Sequence, residues 1–163
     1  MTSSTTIRAA LIAGLISIFG AGASLAAASL SPGEIQQLDD DMQAAVTEIH
    51  AHRYESAISK LMDIYNGIGA DADALNYLGF AHRKLGNNGD ALGFYEEALE
   101  LDPDHLAANE YLGELYVQTG ELDKAATQLE TLTNLCGACQ ESEMLAESIA
   151  QAQAGEIHSS LKW

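Results

Sequence analysis

The chain has 163 residues, enough for one domain with one continuous core. Seven Lys and Arg stand against 24 Asp and Glu, a formal net charge of −17. That balance argues against binding to a phosphate backbone, which needs clustered cations, and against adsorption to an anionic membrane; it leaves a solvated, self-repelling surface or one that attracts a basic partner.

Residues 1–28 read as a secretory signal peptide. Arg8 supplies a positive charge, and the apolar run Ala9 to Ala23 follows it with Leu11, Ile12, Leu15, Ile16, Ile18 and Phe19. Small residues then allow cleavage after Ala26 or after Ala28. The alternative is an uncleaved anchor, since Ala9 to Leu30 is just long enough to span a bilayer. The folded part is therefore expected in the periplasm or outside the cell, or held at the membrane facing the periplasm. Once the segment is removed, no membrane insertion is expected.

Ser31-Pro32-Gly33-Glu34 has the pattern of a capping box with proline at the first helical position. The apolar spacing from there predicts seven helices: about 34–51, 54–66, 71–85, 89–101, 103–119, 122–135 and 140–154. The breaks fall at Gly67-Ile68-Gly69, Gly86-Asn87-Asn88-Gly89, Asp102-Pro103 and Thr119-Gly120. Asp102-Pro103 repeats the cap-plus-proline pattern, so the fifth helix is expected to start at Pro103. The ordered domain spans about 34–154, and residues 155–163 are a tail.

A pattern of small and large residues recurs every 34 positions. Leu78-Gly79 aligns with Leu112-Gly113, Gly86 with Gly120, and Ala91 with Ala57 and Ala125. A pair of short helices cannot bury its apolar faces alone, so such pairs stack and share a core along the array. The units are about 38–71, 72–105 and 106–138. A last helix at about 140–154 seals the stack with Met144, Leu145 and Ile149.

The middle unit carries Leu75, Leu78, Gly79, Gly86, Ala91, Tyr95, Ala98 and Pro103 in one register. In these residues the chain resembles the tetratricopeptide repeat family. The third unit keeps Leu112, Gly113, Tyr116, Gly120 and Ala125 but has Leu132 and Gly137 where Ala and Pro are usual. The first has Ala45 in place of the Gly, as terminal repeats are often atypical. The resemblance implies an all-α, right-handed α-solenoid of three helix-turn-helix repeats plus the sealing helix. It also implies a concave surface, lined by the first helix of each pair, that binds peptides or protein segments.

Carried over residue by residue, the groove positions are Asp39, Met42, Val46, Ile49 and His50; Asp73, Asn76, Phe80, Arg83 and Lys84; and Ala107, Glu110, Glu114, Val117 and Gln118. The principal candidates are Val46, Ile49, Asn76, Phe80, Arg83, Lys84, Glu110, Glu114 and Val117. Val46, Ile49 and Phe80 form an apolar patch. Arg83 and Lys84 either cover a helix C-terminus, where cations are favourable, or meet an acidic group of the ligand. The Lys/Asn clamp of some chaperone-binding members is not evident. The expected occupant is an extended or helical segment with an apolar anchor and one acidic group.

Cys136 and Cys139 are the only cysteines. Three readings remain: a disulfide clip at the bend into the last helix, a redox-active pair, or half of a metal site. Gln140 after the second cysteine argues against covalent haem. No nucleophile–base arrangement or phosphate loop stands out. The expected function is a non-catalytic interaction scaffold in the bacterial envelope, without a cofactor. It would bind a protein or peptide and no nucleic acid, with self-association through an open first repeat as a further option. The alternative is a redox or metal-handling accessory protein that uses the cysteine pair.

Overall fold

The computed structural model describes residues 30–69 and 71–155. The signal-peptide reading over residues 1–28 and the tail beyond Gly155 lie outside the described residues. Those described form seven helices: α1 (Pro32–His50), α2 (Tyr54–Ile68), α3 (Ala72–Lys84), α4 (Asn88–Leu101), α5 (Leu106–Thr119), α6 (Leu122–Cys136) and α7 (Gln140–Gln153). None of these is long and apolar enough to cross a membrane.

The start of α1 follows from its sequence. The Glu34 amide donates to Ser31 Oγ at 3.3 Å, and the Ser31 amide donates to Glu34 Oε2 at 2.8 Å, so two otherwise orphaned donors are satisfied reciprocally. The expectation for α5 was wrong: it begins at Leu106, not Pro103. The Asp102 carbonyl accepts from the His105 amide at 3.1 Å, and Asp102 Oδ1 accepts from the Asp104 amide at 3.2 Å. Asp followed by Pro suits a β-turn as well as a helix start, and here the turn wins. His105 Nδ1 then caps α5 by accepting from the Ala108 amide at 3.2 Å.

Each helix packs on the next, and α1, α3, α5 and α7 also touch in series as an inner layer. The repeat explains the core. Ala57, Ala91 and Ala125 hold equivalent positions, and all three are fully buried. At Gly79 a Cβ would lie 2.6 Å from the ring of Tyr95, so only glycine lets α3 and α4 approach this closely. Gly113 instead receives Leu145 of α7. The helix turns of units two and three use Gly86 and Gly120 at φ 80° and 83°, whereas unit one has His52 there at φ 56°. The first ten residues of α1 are exposed except for half-buried Leu38. Side-chain bonds along that stretch are local, Gln36 to Asp40 and Gln37 to Asp41, at 3.1 and 2.9 Å.

Candidate functional site

The inner layer encloses a concavity of about 480 Å³ toward the first two repeats. Its walls are Val46, Ile49 and His50 of α1, Tyr77, Phe80 and Lys84 of α3, and Tyr111 of α5; His52 and Tyr54 close its rim. Four principal candidates from the sequence thus share one cavity: Val46, Ile49, Phe80 and Lys84. The rings form a continuous series. His52 lies 5.9 Å from Tyr54, Tyr54 6.4 Å from Phe80, and Phe80 5.1 Å from Tyr111, measured between centroids. Offset and edge contacts of this kind hold the rings in place without filling the space between them.

Lys84 Nζ sits 5.2 Å from the centre of the Phe80 ring. Burial, and secondarily the charge of Arg83, lowers its pKa, while Glu114 opposes the shift. Arg83 does not share the cavity surface. It is 6% exposed, with its guanidinium carbon 5.7 Å from the Phe80 ring centre and 5.9 Å from that of Tyr111. The expected pair of adjacent ligand-facing cations is therefore a single cation above the rings and a second one buried beside them.

The remaining candidates lie elsewhere. Asn76 is buried at 3% exposure. Val117 is in the core that contains Leu145 and Ile149 of α7. Glu110 is 4% exposed, and its pKa is pushed up to about 7, first by burial and then by Glu114, with Arg83 opposing and Glu141 adding to the rise. Glu114 is half-buried and accepts a hydrogen bond from the Ser148 hydroxyl of α7. The sealing helix thus lies over the inner face of α5 as well as the end of the stack. His52, Tyr54, Tyr77 and Tyr111 were not among the expected groove residues. Tyr77 and Tyr111 are 34 positions apart, the repeat length, and this recurrence was the available signal.

At the far end, the sulfurs of Cys136 and Cys139 are 2.00 Å apart and their Cα atoms 5.7 Å apart. The buried Ser142 hydroxyl bonds to the carbonyls of Gly137 and Cys139 at 2.8 and 2.9 Å, tying the bend to the first turn of α7.

Two family models, each described as a tetratricopeptide repeat, match residues 49–105 and 82–135. Together they span residues 49–135, more than half of the chain. The chain belongs to the tetratricopeptide repeat family. Its fold is similar to those of several proteins of known structure. The Yersinia enterocolitica type III secretion translocator chaperone SycD, in complex with a peptide of the translocator YopD, is 19% identical with a TM-score of 0.63, over 77% of this chain and 94% of that one. PcrH from Pseudomonas aeruginosa is 20% identical with a TM-score of 0.63, over 78% and 95%. The second such domain of human RPAP3, in complex with the HSP70 peptide SGPTIEEVD, is 20% identical with a TM-score of 0.64, over 71% and 97%. At these identities the likeness is one of fold. No curated protein matches the chain.

Proposed function

We propose that the protein is a non-catalytic scaffold of the bacterial envelope that holds a segment of another protein in the cavity around Phe80. The observation that carries this reading is that α1, α3 and α5 bring Val46, Ile49, Tyr77, Phe80 and Tyr111 around one open space. Half-buried rings and aliphatic side chains around a concavity give a desolvating seat for a large apolar side chain. Family membership supports it, as do the peptides bound to SycD and RPAP3. The signal-like residues 1–28 support export, and cell fractionation with N-terminal sequencing of the product tests it; a cytoplasmic, unprocessed product would refute it.

The binding test uses a phage-displayed library of random dodecapeptides selected on the full chain. Phe80→Ala should weaken the selected peptides roughly 30-fold, as loss of a central aromatic anchor does. Selection of peptides indifferent to this change would place binding elsewhere.

The cysteine pair serves as a structural clip in this proposal. Support comes from the pairing of the two cysteines across the bend and from Ser142, which fixes the same bend. A thiol titration of the exported protein should find no free thiol; two free thiols protected by a metal would favour the accessory-protein alternative instead.

A further inference from the structure

Units two and three use glycine at the inter-helix turn, and unit one uses His52 in the same left-handed conformation. An L-residue with a side chain is disfavoured in that conformation, and glycine stands at the equivalent position twice. His52 is exposed, so burial does not explain the choice. Its ring instead rims the cavity, where Nδ1 lies 2.8 Å from the Tyr54 hydroxyl. When that hydroxyl donates to Nδ1, the ring proton resides on Nε2, which becomes a donor.

The cavity walls otherwise supply Lys84, His50 and three tyrosines, and among the described residues no wall residue is a carboxylate in a chain with 24 of them; Glu114, which acts on the Lys84 charge, is not part of the lining. A donor-rich, carboxylate-free cavity on an acidic protein complements one negative charge set in an apolar context. It does not suit an acidic tract, which the remaining surface would repel.

We propose that His52 is a ligand-contacting residue, retained in a strained turn because its imidazole receives a carboxylate of the bound segment in the cavity that the Lys84 ammonium also lines. That carboxylate belongs to an Asp or Glu beside the apolar side chain seated against Phe80. The inference rests on the groove reading above and names the chemistry of the segment that the groove accepts.

The test takes the Phe80-dependent dodecapeptides selected on the full chain. They should share one Asp or Glu near a large apolar residue, and changing that acid to its amide should weaken binding about tenfold. His52→Gly should weaken the acidic peptide about as much and its amide version hardly at all, the non-additivity of a direct contact. His52→Asn, which tolerates the left-handed turn and keeps an N–H donor, should retain most of the affinity. Relief of strain, offset by glycine's greater loss of chain entropy, should leave the Tm of His52→Gly unchanged or up to about 4 °C higher.

Phe80-dependent peptides that lack an acid, or that bind His52→Gly as tightly as the parent, overturn the carboxylate site and leave the groove intact. A Tm lowered by more than about 4 °C would mean that the fold itself needs His52, and would overturn the argument from strain. If no Phe80-dependent peptide is selected, the groove reading fails and the carboxylate site with it.

Discussion

Val46, Phe80 and Glu114 stand at one repeat position, and Ile49, Arg83 and Val117 at another, yet the two ends of the inner face are unlike. Toward units one and two, Val46, Ile49 and Phe80 open on an aromatic cavity, with Arg83 buried beside it. Toward unit three, α7 crosses the same face, so Val117 becomes core and Glu110 a buried carboxylate. A repeat position therefore fixes where a side chain starts, while the neighbour that covers it decides whether it is surface or core.

The largest expected effect separates the two ends by stability. Leu145, fully buried against Gly113, should cost about 3 kcal/mol when changed to Ala. The half-buried Phe80 should cost about half as much for the same truncation. Urea denaturation measures both, and equal losses would mean that the open end is as tightly built as the sealed one.

Next comes pH. The folded protein keeps the Glu110 proton up to about pH 7, whereas an ordinary carboxyl releases it near 4.5. Its contribution to stability is therefore present at low pH and falls as the pH rises from about 4.5 to 7, by roughly 3 kcal/mol. Glu110→Gln should remove that slope and raise stability at pH 8. A variant with the parent's slope would show that the carboxyl is not buried by α7. Its charged neighbours are Glu114, Arg83 and Glu141, and the single cation does not offset burial and two like charges.

Changing Cys136 and Cys139 together to Ser should cost less than about 2 kcal/mol, since the closed loop is very short. Phe80-dependent peptide binding should survive, because the pair lies at the other end of the stack. Loss of binding would couple the ends. The smallest effect is expected for Ile35→Gln on the exposed face of α1, within about 0.5 kcal/mol by thermal melting.

The repeat frame was legible because its causes are local and recur: buried Ala57, Ala91 and Ala125, Gly79 beneath Tyr95, and a capping box at Ser31. Asp102-Pro103 misled because one dipeptide serves both a turn and a helix start, and a hydrogen bond to the Asp104 amide decides between them. Val46 and Phe80 came out together because they lie one repeat apart on the inner helices, and Ile49 and Lys84 lie one helical turn further along the same two helices. Arg83, Glu110 and Val117 did not, since their burial depends on rings and helices distant in sequence. Tyr77 and Tyr111 repeat at 34 residues, but their place beside Leu78 and Leu112 reads as core until the curvature of the stack is known.

The exposed first half of α1 has a kinetic consequence. From Pro32 to Asp41 the helix relies on its capping box and on local side-chain bonds, with Leu38 alone half-buried. An isolated stretch of that length is marginal in water. Its amide hydrogens should exchange with deuterium far sooner than those around Ala45 and Ile49, because they open by fraying from Ser31 without disturbing the stack. A protease that trims this half-helix should therefore halt near Met42, where the chain joins the packed core.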